Sequence, residues 1–266
     1  MQSMITAMSR ILTALCAVLT LAACAGTPST PAVTDLAPTG TLRAAINFGN
    51  PILATKTPDG QPSGVSVDLA RELGMRLRVP VELVTFESAG KVVAAVGQWD
   101  VAFLAVDPAR AGEIAFTAPY VVIEGAYLVP AGSPIRENAQ VDRAGVRVVV
   151  GAGSAYDLYL ARELRHATLV RAPTSPAVTD LMVARNLDVA AGVKQQLEAD
   201  AKRVPGVRVL EGRFMVINQA MGTPQGREAG VRYLRAFVEE MKSSGVVAQS
   251  LARHRIEGAA VAPPEP

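Results

Sequence analysis

The chain has 266 residues, half of them hydrophobic and 5% aromatic, with a formal net charge of +2. That is enough apolar material for one large domain or two lobes of ordinary size. So small a charge, with no basic run, argues against nucleic acid as a partner.

Arg10 is the only charge before the apolar run Ile11–Leu21, which is too short to span a bilayer comfortably. The run ends in Leu21-Ala22-Ala23-Cys24, which resembles the bacterial lipobox, where the cysteine is acylated and becomes the mature N-terminus. The competing reading is ordinary secretion with cleavage in Ala23-Cys24-Ala25. The expectation is a signal peptide over 1–23, lipidation of Cys24 and a flexible Ala/Thr/Pro/Ser tether over 24–40. Cys16 leaves with the signal and Cys24 carries lipid, so the domain keeps no thiol for a disulfide or a nucleophile.

Thr41–Ile46 reads as a first strand, and the Gly-, Pro- and Asp-rich stretch 47–64 as loop. Val65, Leu69, Leu73 and Leu77 fall on one face of an amphipathic helix that Pro80 stops. Val81–Phe86 and Val101–Val106 read as strands, with a short helix from Gly90 to Val96 between them. Tyr120–Pro130 then reads as a crossover to a second lobe. There, strands at Arg147–Val150, Thr168–Ala172 and Asp188–Ala191 alternate with helices at Ala155–Leu164, Pro176–Arg185 and Gln195–Lys202. Phe214–Ala220 returns to the first lobe, which closes with helices Glu228–Lys242 and Val246–His254. Strands alternating with helices imply mostly parallel sheet.

The segment Asp107-Pro108-Ala109-Arg110, followed by Phe116, Pro119 and Tyr120, carries the sharpest signal. It resembles the signature of family 3 of the bacterial extracellular solute-binding proteins, which serve polar amino-acid importers. Gly64-x3-Asp68-Leu69-Ala70, the Asp100 turn, Gly153-Ser154 and Leu187-Asp188-Val189-Ala190 follow in the expected order, so the resemblance covers 40–255. It implies a type II periplasmic-binding clamshell, α/β in each lobe, with two crossings and ligand closed between the lobes. The expected division is 41–126 with 215–258 for the first lobe, 127–214 for the second, and an unstructured tail over 259–266.

In that family the arginine clamps the ligand's α-carboxylate, and a guanidinium fork suits this role. Arg110 is therefore the first candidate, and Ser154 and Ala155, opening a helix, offer backbone N–H groups to the same anion. Ser154 also reads as an N-cap. The amine half departs from the family. The position of its aspartate, five residues after Asp188, is Val193; hydroxyl positions fall on Ala105 and Phe103; aromatic walls fall on Gly49 and near Ala89, with Phe86 as a substitute. An ammonium enclosed without a carboxylate costs several kcal/mol. The favoured ligand is thus a non-standard amino acid or small organic acid, read by Arg110 with neutral donors Asn47, Asn50 or Gln195. Asp107, read as a helix cap, and Glu124, read as solvated, are the acids nearby.

His166 and His254 lie at helix ends outside any cleft motif, and nothing in the sequence calls for a metal or cofactor. The family resemblance implies a monomer, held at the membrane by its lipid or else soluble in the periplasm, that hands ligand to an ABC permease. The fold also hosts cyclohexadienyl dehydratases, for which Glu124 would be the acid, and ligand sensors for membrane receptors.

Overall fold

The computed structural model describes residues 29–265; the expected signal peptide and Cys24 lie outside them. The first crossing is made by one long strand. This strand, β6 (Ile114–Pro130), contains the stretch read as a crossover and pairs antiparallel with β11 (Met215–Pro224) from Ile114 to Gly125. At Gly125 it reaches β9 (Val189–Val193) and continues beside it to Leu128. One ten-stranded sheet therefore runs through both halves of the molecule.

On one side of this ribbon stand β1 (Leu42–Asn47), β4 (Val81–Phe86) and β5 (Val101–Ala105), with β1 parallel to both neighbours. On the other side β7 (Arg147–Gly151) lies parallel to β8 (Thr168–Ala172) and β9. The sheet order is β4-β1-β5-β11-β6-β9-β7-β8, with β10 (Val207–Val209) and β12 (Ala260–Val261) also on β6. Both halves have the same plan, a strand between two later parallel ones, as expected for a type II clamshell.

The halves also share one fastening. At the start of β1, Arg43 donates its backbone N–H (3.1 Å) and Nε (2.9 Å) to Asp100, in the turn before β5. At the start of β7, Arg147 donates its N–H (2.9 Å) and Nε (2.8 Å) to Asp188, before β9. Asp100 is fully buried and also receives Arg227. Burial pushes its pKa up, but the bonds from Arg43 and Arg227 outweigh burial and hold it below the usual carboxylate range.

Helices cover the sheet. α2 (Val65–Leu77) buries its Val65, Leu69, Leu73 and Leu77 stripe and ends at Arg78, whose φ of 57° is left-handed. The remaining helices are α3 (Ala89–Ala94), α4 (Ala155–Glu163), α5 (Val178–Ala184), α6 (Lys194–Arg203), α7 (Glu228–Ser243) and α8 (Val246–Arg253). A short hairpin, β2 (Thr55–Lys56) with β3 (Pro62–Ser63), lies within the stretch read as loop.

Both expected unstructured ends differ from expectation where they are described. The tether becomes helix α1 (Thr30–Leu36), capped by Ser29, with Ala32 and Leu36 buried and Leu36 packed beside Gly230 of α7. Pro31 falls in the first turn, where its missing N–H is harmless, so a residue that reads as a breaker opens a helix. In the tail, β12 pairs with Val121 and Val122, Ala262 is buried, and Lys242 Nζ donates to the Pro263 carbonyl at 2.8 Å. Leu36→Ala should lower unfolding free energy in urea by about 2–5 kcal/mol, the range for emptying a buried leucine site. A tether that merely trailed from the domain would show no change.

Candidate functional site

The carboxyl ends of β1 and β5 in one half face those of β7 and β9 in the other, the place where open α/β sheets bind ligands. Arg110 stands at this seam. Pro108–Arg110 forms one 3-10 turn after β5, capped by Asp107 Oδ1, which accepts the Ala109 N–H at 2.9 Å. The cap aims the arginine side chain back across the end of its own strand. Its Nη1 donates to the Ala105 carbonyl at 2.7 Å, and Nη2 crosses the seam to the Gly153 carbonyl at 2.9 Å.

Arg110 is only 2% exposed, and its Nε–H is buried without a partner. Burial lowers its pKa to about 10, partly offset by the nearby Asp107 charge, so the group remains a cation at neutral pH. Asp107 does not neutralise it by contact, because both its oxygens receive Arg162 of α4, at 3.1 and 2.8 Å. That second ion pair also joins the two halves.

A cavity of about 30 Å³ lies beside the guanidinium. Asn47, Asn50 and Ala105 line it from one half, and Ser154, Ala155 and Val193 from the other. Gly49 and Ala89, where aromatic walls were sought, line it as well, without any ring. Phe103 does not: it turns into the core, edge-on to Tyr120 at 6.2 Å, and Leu104 lines the cavity in its place. Phe86 packs with the apolar cluster around Trp99 and is not among the lining residues.

Gln195 is also elsewhere. It packs against Gly258 and lines a cavity of about 600 Å³ with Glu124, Lys194, Lys202 and Arg255. That larger cavity is open, and Glu124 is already paired there with Lys194 (3.2 Å) and Arg213 (2.7 Å), rather than free in solvent. His254 lies 3.0 Å from Asp68 and is not solvent-facing, whereas His166 is exposed.

The α4 N-terminus is more occupied than its sequence suggests. Ser154 Oγ accepts the Asp157 N–H at 3.1 Å, as an N-cap should, and the Ser154 N–H is tied to the Gly151 carbonyl at 3.0 Å. Asp157 in turn accepts the Gly153 N–H at 2.9 Å. The first-turn amides of Ala155 and Tyr156 are those that helix geometry leaves without an intrahelical acceptor.

Besides the apolar Leu104 and Ile217, three polar residues not anticipated from the sequence line the cavity. Gln219 of β11, buried at 5% exposure, lies on the same strand face as Ile217 and lines the cavity with it, just before a register irregularity. Its amide follows a second one, Asn218, and only Gln219 of the two is buried, a distinction the sequence does not mark. Ser175 and Tyr156 complete the wall. Burial pushes the Tyr156 phenol up to about 12 against the pull of the Ser175 and Ser154 hydroxyls, so it stays a neutral group. Arg110 is thus the single charged side chain on the cavity wall among the described residues.

The sequence model of the bacterial extracellular solute-binding proteins, family 3, matches residues 42–255, and the chain belongs to that family. Membership implies a periplasmic or extracellular location. No curated protein sequence matches the chain. Among solved structures, a solute receptor for L-cysteine of Neisseria gonorrhoeae is similar at TM-score 0.73 and 21% identity, over 84% of this chain and 92% of that one. An ancestral amino acid-binding protein, AncCDT-1, a precursor of cyclohexadienyl dehydratase, is similar at 0.71 and 20%, over 83% and 98%. A histidine kinase sensor domain with similarity to periplasmic binding proteins follows at 0.72 and 18%, over 84% and 98%. At these identities the likeness is one of fold.

Backbone from the two halves comes close at Gly90 and Gly153. A Cβ on Gly153, whose φ is +68°, would fall 2.7 Å from the Gly90 Cα. Gly153→Ala should therefore wedge the seam and add backbone strain of about 1 kcal/mol or more. Small-angle scattering should show a larger radius of gyration; an unchanged profile would contradict the close approach.

Proposed function

We propose that this protein is the solute-capturing component of an ABC importer, that it closes on a small carboxylate lacking an α-ammonium, and that Cys24 anchors it by lipid. One observation carries the ligand class: the cavity wall is a single buried cation among neutral groups. A guanidinium held out of water by carbonyl bonds is incompletely compensated, and a carboxylate compensates it with charge and paired acceptors together. An ammonium entering beside it would meet neutral amides, hydroxyls and Val193, and would lack a partner.

Binding pockets for small molecules usually measure about 300–1,000 Å³, whereas about 30 Å³ is one water's share of liquid volume. The halves must therefore part about the β6–β11 crossing for ligand to enter. Opening breaks the Arg110–Gly153 and Arg162–Asp107 contacts, and the incoming carboxylate takes over the Arg110 donors that Gly153 gave up. The ligand-bound closed form is then the form a permease would receive, as population-shift logic requires. Asn47, Asn50, Gln219, Ser154 and the Ala155 N–H supply the neutral contacts to hydroxyl, keto or amide groups.

The enzyme alternative needs an acid beside the substrate. Glu124 instead lines the other cavity and is paired twice, which favours the binder.

A thermal-shift screen of small organic acids and amino acids tests the proposal. At 100-fold saturation a ligand adds about 2.7 kcal/mol of stability. Organic acids should shift the wild type, and Arg110→Ala should remove the shift while remaining folded. If amino acids alone stabilise the protein, or if Arg110→Ala responds like wild type, the proposal fails. Val193→Asp should restore the missing half of the site, since residue 193 lines the cavity and caps α6. It should gain amino-acid binding by roughly tenfold or more, equivalent to about 1.4 kcal/mol, measured by calorimetry. No gain would show that the amine pose of the family is not available here.

A further inference from the structure

The chain enters the described fold through α1, which lies along α7, and Ser29, Arg232 and Glu240 border one surface hollow there. Only five residue steps separate Ser29 from Cys24. However they are arranged, they reach no farther than about 18 Å, at 3.6 Å per residue. A lipid on Cys24 would therefore hold this flank of the first half near the membrane.

The surface around that entry has the chemistry of a bilayer contact. Arg76 of α2 donates to Glu240 of α7 at 2.8 Å, which places α2 beside the hollow. One helical step from Arg76 is Met75, which is 67% exposed, the highest value among the large hydrophobic side chains that stand exposed. Arg71, four residues before Met75, is exposed on the same face of α2; Arg78 is exposed at the C-cap of that helix, and Arg232 on α7. Of the acids on this flank, Glu72 and Glu240 are taken by Arg76 and Asp35 of α1 accepts the Gly230 N–H, while Glu228 of α7 is exposed four residues before Arg232. An exposed apolar side chain on a flank that also carries exposed arginines, none of them in an ion pair among the described residues, suits an anionic headgroup layer better than free solvent.

We infer that the α1–α2–α7 flank of the first half, centred on Met75, Arg71, Arg78 and Arg232, is a membrane-apposed surface that seats on an anionic bilayer. The inference rests on the proposed lipidation of Cys24. It assigns the first half as the fixed lobe, and leaves the half carrying α4 to α6 to swing about the β6–β11 crossing. Reach and charge act together: the short span limits the available orientations, and the arginines select among them.

The test uses the full chain, processed in a bacterial host and reconstituted into vesicles of phosphatidylglycerol and phosphatidylcholine with an acceptor dye on the headgroups. An acylated Cys24 has no free thiol, so a donor dye can be placed alone at Met75→Cys or, on α5 of the other half, at the exposed Val183→Cys. Energy transfer to the membrane should be several-fold stronger from position 75 than from 183. Replacing Arg71, Arg78 and Arg232 together by Gln should reduce the signal at 75. Equal transfer from the two sites, in protein that mass spectrometry shows to be acylated, would overturn the assigned surface. So would a signal unchanged by the triple replacement. Absence of acyl groups on Cys24 would instead overturn the anchor reading and this inference with it, leaving the carboxylate site untouched.

Discussion

A guanidinium that is 2% exposed and almost surrounded by neutral groups is the constraint on which the rest of this molecule turns. Arg110 cannot shed its proton at neutral pH, and the Asp107 charge that eases its burial is spent in contact on Arg162. Its remaining partners are two backbone carbonyls, one from each half. The same side chain is thus a seam contact and the strongest anion-seeking group of the cleft. On the proposed function, a ligand carboxylate competes with the Gly153 carbonyl for it, which couples binding to the parting and closing of the halves.

Holding such a group in place needs a rigid frame on both sides. The paired Arg43–Asp100 and Arg147–Asp188 fastenings supply it, each locking the start of a parallel strand to the turn before its neighbour. With those ends fixed, the opposite, carboxyl ends carry Asn47, Ala105 and Gly151 to the seam in register. The long β6–β11 ribbon links the two frames, and Ile217 and Gln219 on one face of β11 line the cavity just before the register irregularities between Gln219 and Gly222.

Much of this was legible in the sequence, because it rests on local pattern. The α2 stripe, the Arg110 turn and Val193 at the end of its strand are set by periodicity and short spacings, and each lies where the spacing puts it. What was not legible depends on side-chain direction or on distant packing. Phe103 and Leu104 are neighbours on one buried strand, and an all-apolar strand does not announce which residue faces the cleft. Gln195, two residues beyond Val193, has turned around the first turn of α6 to the opposite cavity. Gln219 lines the site from a strand that pairs with β6 far from the other site residues in sequence, on the same face as Ile217. Helix α1 is held by Leu36 against α7, a contact about two hundred residues away in sequence that composition could not reveal.

On the proposed function, this cleft has the carboxylate half of an amino-acid site without the ammonium half. Titration calorimetry of matched ligands, an L-amino acid against the 2-hydroxy and 2-keto acids of the same side chain, tests it most directly. An oxygen-bearing acid should bind at least about tenfold more tightly than its amino counterpart, a difference of about 1.4 kcal/mol. Tight binding of the L-amino acid, with both matched acids silent, would contradict it.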